Sequence, residues 1–169
     1  MIRASYCLPD ASALGEFLQR NGWMIACAES CTGGLLAAAL TDTPGSSVWF
    51  DRGLVTYSNG AKMQLLGVHP DTLERFGAVS EETAMEMAAG VLSTCDTADF
   101  AVSTTGIAGP GGATPGKPVG MVCFGFATRT EAGWTTRAET HVFEGDRQAV
   151  RQATVRFAVQ RAMQVFDPR

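Results

Sequence analysis

Residues 28–34 place a serine among glycines and small polar side chains directly after a short apolar run. Ser30 would lie where a buried strand ends and a helix begins, beside backbone N–H groups that can bind an anion or stabilise an oxyanion. Thr32, Gly33 and Gly34 follow in the same turn and are candidate contacts for the same ligand. The pattern favours Ser30 as a nucleophile, and the alternative is that Ser30 or Thr32 only caps the helix.

Cys31 is a second candidate nucleophile in this turn, because a helix N-terminus lowers the pKa of a thiol. The two histidines of the chain, His69 and His141, are distant from it in the sequence and from each other. A thiol without a nearby histidine is the weaker candidate, so Ser30 is preferred. The same scarcity of histidine gives no indication of a histidine-rich metal site, and we expect no metal.

Lys62 falls in the predicted first turn of a helix, where a cation opposes the helix dipole. A lysine that is removed from water can lose its proton near neutral pH and then accept the proton of Ser30, as in Ser–Lys variants of the catalytic triad. Tyr57, in the same segment, can donate a proton to a leaving nitrogen or orient either partner. The alternative for Lys62 is an ordinary solvated surface lysine.

A glycine-rich loop follows a predicted strand, and its glycines allow backbone amides to approach a phosphate or a carboxamide oxygen. The candidate ligand-binding residues in it are Thr105, Gly106, Ile107, Ala108, Gly109, Gly111 and Gly112. Residues 111–117 match the start of a P-loop, but Pro118 stands where Ser or Thr would bind magnesium. Arg147 opens the last predicted helix and opposes its dipole, which indicates a bound phosphate; the alternative is a surface arginine.

Alternating helices and strands along the chain predict an α/β fold. In chain order the predicted elements are a helix over 8–20, a strand over 23–28, a helix over 32–40, a strand over 48–57, helices over 59–66 and 80–94, a strand over 98–104, a hairpin of 121–128 and 134–143, and a helix over 145–166. We expect a three-layer α/β/α sandwich with a mixed sheet and a C-terminal hairpin. Ligands bind at the carboxyl ends of the strands in open α/β sheets. The segments 29–34, 57–62 and 104–112 all follow predicted strands, so we expect them to meet.

The bulk composition excludes several classes of protein. A chain of 169 residues that is 46% hydrophobic and 18% charged is expected to fold as one domain spanning 1–169. Its net charge of −4 argues against nucleic acid as a partner. We expect no membrane partner and a cytoplasmic location, because no apolar run is long enough to span a bilayer and no secretory signal is found. The five scattered cysteines indicate no disulfide framework, and most are expected to be buried.

Five long motifs, taken in order, resemble the C-terminal domain of the competence/damage-inducible protein CinA. They are AESCTGGLLAAALTDTPGSS (28–47), VTYSNGAKMQLLGV (55–68), GAVSEETAMEMA (77–88), TGIAGPGGATPGKPVG (105–120) and FEGDR (143–147). Stand-alone members of this family are nicotinamide-nucleotide amidases. The resemblance therefore implies hydrolysis of nicotinamide mononucleotide (NMN) to nicotinic acid mononucleotide and ammonia, without a cofactor. It also implies a homodimer or a higher homo-oligomer.

Carried over residue by residue, the resemblance places the catalytic serine on Ser30, the catalytic lysine on Lys62 and the assisting tyrosine on Tyr57. The ligand loop falls on residues 105–112, and the arginine of the GDR motif is Arg147. Gly60 departs from the family pattern, which has a polar or charged residue there, and it is expected to loosen the start of its helix. Two alternatives stay open: a non-catalytic regulatory module that binds a pyridine nucleotide, and a serine amidase for another small amide.

Overall fold

The computed structural model describes residues 8–167. Six helices and five strands run in the order α1 Ser12–Asn21, β1 Ile25–Glu29, α2 Leu35–Thr41, β2 Phe50–Val55, α3 Asn59–Leu66, α4 Pro70–Phe76, α5 Glu81–Ser93, β3 Phe100–Gly106, β4 Met121–Thr130, β5 Gly133–Val142 and α6 Arg147–Phe166, with a short 3-10 turn at Ser46–Val48. No helix in this range combines the length and the apolar character needed to cross a membrane.

The five strands form one mixed sheet in the order β2-β1-β3-β4-β5. β1 is parallel to both of its neighbours, whereas β4 is antiparallel to β3 and β5. All five residues of β1 are buried, as a continuous apolar run in a central parallel strand predicts. The predicted mixed sheet and C-terminal hairpin are therefore confirmed.

Helices cover both faces of the sheet, because side chains along each strand alternate in direction. Ile25 and Cys27 pack in one apolar cluster with α1, α2 and α6, whereas Ala26 and Ala28 pack in a second cluster with α3 and α5. The small alanines of the second face leave room for α5 to lie close to the sheet. The predicted three-layer α/β/α sandwich is confirmed. The cysteines within the described range, Cys27, Cys31, Cys95 and Cys123, are all buried and free, while Cys7 lies outside it.

Several predicted boundaries are wrong. The helix predicted from residue 32 begins at Leu35, because Gly33 and Gly34 adopt positive φ angles of 57° and 103° that an α-helix does not allow. The first helix begins at residue 12 rather than 8, and the strand predicted over 48–57 covers only Phe50–Val55.

Helix α4 was not predicted, although its sequence carries start signals. Pro70 occupies its first turn, where the missing N–H costs nothing, and Asp71 suits the positive end of the dipole. The Glu86 carboxylate of α5 accepts hydrogen bonds from the His69 N–H and the Thr72 hydroxyl, which fixes the beginning of this helix.

Candidate active site

Ser30 and Lys62 meet at the carboxyl edge of the sheet. The Lys62 Nζ atom lies 3.1 Å from the Ser30 Oγ atom. Both residues are almost completely withdrawn from solvent: Lys62 is 1% exposed and Ser30 is 8% exposed. The contact arises because β1 and β2 run in parallel with Glu29 opposite Val55, so the segments that follow these two strands leave the sheet side by side.

Lys62 has the environment of a lysine that gives up its proton. Besides Ser30 Oγ, its Nζ contacts the backbone oxygens of Thr56 at 3.0 Å and Tyr57 at 3.4 Å. No carboxylate forms an ion pair with it within residues 8–167. Burial lowers the pKa of Lys62 below its ordinary value. A neutral amine satisfies this geometry by donating its two N–H groups to the two carbonyls and accepting the Ser30 hydroxyl proton on its lone pair.

Helix α3 holds Lys62 in place. The Ser58 hydroxyl caps the helix by accepting the Ala61 N–H at 3.0 Å. Side chains on a helix point toward its N-terminus, which directs the Lys62 amine back toward the end of β2. Gly60, the departure from the family pattern, lies within the first turn and keeps an ordinary helical backbone.

Glu29 is a buried carboxylate that sequence reasoning missed. Its side chain is fully buried and accepts hydrogen bonds from the backbone N–H groups of Gly34, Leu36 and Ala37, at 3.2, 2.8 and 3.0 Å. It therefore occupies the N-terminus of α2, where an anion is stabilised. The sequence predicted that this helix N-terminus binds a ligand, but the Glu29 carboxylate occupies it. Neither Ser30 nor Thr32 caps the helix.

Thr32, Gly33 and Gly34 shape the turn after Ser30 and do not line the cavity beside it. The Thr32 hydroxyl shares a hydrogen bond with that of Thr104, the Gly33 N–H binds the Ser30 carbonyl, and the Gly34 N–H binds Glu29. Their polar groups are thus engaged within the protein, and the expectation that they contact a ligand stays a prediction. Arg151 of α6, also missed, clamps the turn by donating to the carbonyls of Cys31 and Thr32.

Cys31 lines the cavity, but its chemistry is opposite to the expectation for a helix N-terminus. Burial raises the pKa of this thiol to about 12, and the neighbouring Glu29 charge adds to the effect. The thiol is therefore protonated at neutral pH and is a poor nucleophile. The preference for Ser30 over Cys31 gains a physical basis.

A cavity of about 260 Å³ opens over the Ser30–Lys62 pair. The predicted site residues that line it are Ser30, Tyr57, Lys62, Thr105, Gly106, Ile107, Ala108, Gly109, Gly111, Gly112 and Arg147. Cys31, Asn59, Ala78 and Val79 also line it and were not predicted as ligand contacts. The fold therefore brings the three candidate segments and Arg147 around one space, as the order of strands predicted.

Tyr57 and Arg147 meet at the rim of this cavity. The Arg147 guanidinium donates to the Tyr57 hydroxyl at 3.0 Å and to the Gly109 carbonyl at 2.8 Å. It is the backbone carbonyl of Tyr57, not its hydroxyl, that contacts Lys62. The phenol therefore makes no hydrogen bond with Ser30 or Lys62 in this structure, and its part in catalysis stays a prediction.

Most backbone N–H groups of the glycine-rich loop that precede residue 108 are already paired. The Ile107 N–H binds the Met121 carbonyl, and the Thr105 hydroxyl binds the Ala78 carbonyl. Gly106 lies opposite Val122 in a pair that exchanges no hydrogen bond, so its N–H points away from β4, toward the end of β1. Cys31, Gly106, Ala108 and Gly109 line the cavity, and their backbone N–H groups have no hydrogen-bond acceptor in the described part of the chain. These four N–H groups are the candidate donors to an oxyanion.

The chain matches the model of the CinA C-terminal domain over residues 9–166, and it belongs to that family. It is 54% identical to nicotinamide-nucleotide amidohydrolase PncC of Enterobacter agglomerans, over 90% of this chain and 91% of that protein. It is 50% identical to the PncC of Escherichia coli strain K12, over 90% of each chain. A CinA-like protein of Chloroherpeton thalassium is 56% identical over 83% of this chain, which corresponds to only 33% of that longer protein.

Solved structures of the same family share the fold. The competence/damage-inducible protein CihA of Agrobacterium tumefaciens superposes with a TM-score of 0.85 at 44% sequence identity, and the match covers 92% of each chain. The competence or damage-inducible protein of Enterobacter asburiae gives a TM-score of 0.85 at 40% identity, over 92% of this chain and 94% of that one.

Proposed function

We propose that this chain is an amidohydrolase that converts NMN to nicotinic acid mononucleotide and ammonia, with Ser30 and Lys62 as its catalytic pair. The observation that carries the proposal is the 3.1 Å contact between a buried lysine amine and a buried serine hydroxyl at the floor of a cavity. The names of the PncC relatives at 50% and 54% identity supply the substrate.

In the first half of the reaction, neutral Lys62 accepts the hydroxyl proton of Ser30 as its Oγ attacks the carboxamide carbon of NMN. The carbonyl oxygen becomes an oxyanion that N–H groups of Cys31, Gly106, Ala108 or Gly109 stabilise. When the intermediate collapses, the C–N bond breaks and the proton held by Lys62 passes to the leaving nitrogen, which departs as ammonia. Lys62 is the donor because it holds the proton taken from Ser30 and lies 3.1 Å from the Oγ atom that carries the intermediate.

In the second half, water attacks the ester between Ser30 and the nicotinate group. Lys62 accepts a proton from this water and then returns it to Ser30 Oγ as the ester C–O bond breaks. The product carboxylate gains one oxygen from water, and both residues end in their starting state. Each step uses only groups of this chain and water.

The direct test is incubation of the pure protein with NMN, followed by measurement of ammonia and of nicotinic acid mononucleotide. In H₂¹⁸O, one labelled oxygen should enter the product carboxylate. Binding of NMN without either product would instead support a regulatory module. Faster ammonia release from another small amide in a substrate panel would support a serine amidase of different specificity. We further propose that the chain self-associates, as the family resemblance implies.

Arg147 is proposed to bind the phosphate of NMN. Its guanidinium lines the cavity and donates to a phenol and a carbonyl, while no carboxylate pairs with it in the described range. Its charge is therefore available to a phosphate, with which arginine forms strong charge-assisted hydrogen bonds.

The variant Arg147→Met should raise KM for NMN about 10- to 100-fold, since a hydrogen bond to a charged group is worth about 1.5–3 kcal/mol. The rate with nicotinamide riboside, which lacks the phosphate, should change much less. The exposed Arg156 on the same helix gives the matched control, Arg156→Met, which should leave both substrates unaffected. Equal losses with both substrates would contradict a role in phosphate binding.

Glu29 is proposed to position Ser30 by tying the turn that follows it to α2. Both carboxylate oxygens of Glu29 accept backbone N–H groups, so in the variant Glu29→Gln the amide N–H₂ faces an N–H donor and that hydrogen bond is lost. The loss should lower the free energy of unfolding by about 1–3 kcal/mol. It should also lower kcat about 10- to 100-fold with little change in KM. Glu86→Gln is the control, because Glu86 likewise binds the start of a helix but lies away from the cavity. If both variants lose stability but neither loses kcat, Glu29 is structural only.

A further inference from the structure

β5 forms one edge of the sheet. Its ten residues pair with β4 in an unbroken register, and no other strand of residues 8–167 pairs with its outer side. Edge strands are commonly protected by proline, lysine, bulges or short length. The sequence of β5, GWTTRAETHV, contains neither proline nor lysine, and the register has no shift. Its Arg137 and Glu139 carry opposite charges, so a partner strand with the complementary order of charges is not repelled.

The backbone of β5 shows which residues face outward. The Phe143 N–H, just beyond the strand, donates to the Gly120 carbonyl, so residue 143 directs its backbone toward β4. Backbone direction alternates along an antiparallel strand. The even-numbered residues from 134 to 142 therefore direct their N–H and C=O groups away from the sheet, where a further strand could bind them.

We propose that this edge binds β5 of a second copy of the chain, antiparallel and with a two-fold axis at Ala138. In this register Arg137 lies opposite Glu139 of the other copy, and the pair occurs twice. Thr136 lies opposite Thr140, and Trp134 opposite Val142. Opposite charges, threonine pairs and aromatic–aliphatic pairs are the cross-strand combinations that stabilise antiparallel sheets.

The exposure of these residues supports the same partner. Trp134 and Val142 are 41% and 58% exposed, which is high for large apolar side chains, and the register covers both at once. Arg137 is also exposed. Glu139 is held by Arg161 of α6 at 2.6 Å and lies only 4.0 Å from Arg137 of its own strand, so this carboxylate is fixed at the edge, where Arg137 of the other copy would approach it. The self-complementary order of side chains about residue 138 favours a copy of this chain over an unrelated strand.

The interface is independent of the proposed chemistry. The catalytic cavity lies where β1, β2 and β3 end, and no residue of β5 lines it. Two sheets joined at this edge would form one continuous ten-stranded sheet with a cavity in each copy. Loss of association would therefore leave hydrolysis intact, and loss of hydrolysis would leave association intact.

Disulfide cross-linking tests the register. In this register the two copies of residue 138 form a hydrogen-bonded pair, whose Cα atoms lie about 5.5 Å apart in an antiparallel sheet. A disulfide can bridge this distance. In a Cys7→Ser background, Ala138→Cys should form a covalent dimer under mild oxidation. Thr136→Cys is the matched control on the same outward edge, because the two copies of residue 136 would be about 14 Å apart. The proposal is overturned if Ala138→Cys forms no covalent dimer, or forms no more of it than Thr136→Cys does.

Charge reversal tests the pairing in solution. Arg137→Glu places like charges opposite each other twice in the dimer and should raise the dimer dissociation constant about ten-fold, as measured by sedimentation equilibrium. Arg156→Glu changes the net charge equally on an exposed face of α6 and should leave the constant unchanged. A wild-type chain that stays monomeric at every concentration, or equal effects of both reversals, overturns the proposal.

Discussion

Replacing Ser30 with alanine is expected to reduce kcat for ammonia release from NMN by at least about 10⁴-fold. The variant keeps the cavity and the oxyanion donors but removes the atom that forms the ester, and losing a nucleophile leaves only the residual effect of binding and oxyanion stabilisation. The fold should persist, because the Ser30 side chain contacts Lys62 but supports no apolar cluster. Thermal unfolding of the variant checks this point.

Rapid quenching gives a second measurement. Wild-type protein mixed with excess NMN and quenched in acid should carry a nicotinate mononucleotide ester on the peptide that contains Ser30, whereas Ser30→Ala should carry none. Ser47→Ala, an exposed serine in the loop before β2, is the matched control and should retain full activity.

Cys31 provides the decisive contrast, because it lines the same cavity one residue further along the chain. Cys31→Ala should lower kcat by less than about ten-fold, since a thiol with a pKa of about 12 is not the nucleophile. If Cys31→Ala were the inactive variant and Ser30→Ala retained turnover, the assignment of the nucleophile would be reversed.

The meeting of the candidate segments could be predicted because it follows from strand order alone. A buried apolar run before Glu29 and another before Thr105 indicated central strands, and the carboxyl ends of parallel strands lie at one edge. Which atoms meet could not be predicted. The contact between Ser30 and Lys62 depends on the register of β1 against β2. The apolar run of β1 is continuous and buried on both faces, so it has no alternation that would specify this register.

The role of Glu29 was hidden for a different reason. Its partners are N–H groups five to eight residues further along, reached only because two glycines with positive φ turn the chain back over the carboxylate. A capping residue that is recognisable from sequence stands directly before its helix. The same limit applies to Tyr57, whose hydroxyl partner Arg147 lies 90 residues away on α6. Such contacts are set by how helices pack on the finished sheet.

Replacing Lys62 with methionine is expected to lower kcat about 10²- to 10⁴-fold, the usual contribution of a general base, with little change in KM. Methionine fills similar volume without a basic atom. Lys62→Arg should be equally inactive, because a guanidinium keeps its charge at any accessible pH and cannot accept a proton. Activity retained by the arginine variant would show that a positive charge, rather than a base, is what the site requires.

The pH dependence follows from the lowered pKa of Lys62. The neutral amine is the active form, so kcat/KM should rise with pH and level off once the pH exceeds the pKa of Lys62 in the folded protein, which lies below 10.5. The methionine variant should lose this rise. A wild-type profile that continues to rise with a midpoint at or above 10.5 would mean that Lys62 behaves as a solvated lysine.

Stability supplies a measurement that does not depend on catalysis. Between the lowered pKa in the folded state and the ordinary value of 10.5, the unfolded chain binds one proton at this residue that the folded chain does not. The free energy of unfolding should therefore rise with pH across that window, by up to about 1.4 kcal/mol per pH unit from Lys62. Urea unfolding of wild type and Lys62→Met at several pH values isolates this contribution as the difference between their slopes. Parallel slopes would show that the amine is charged in the folded protein and that Lys62 cannot act as the base.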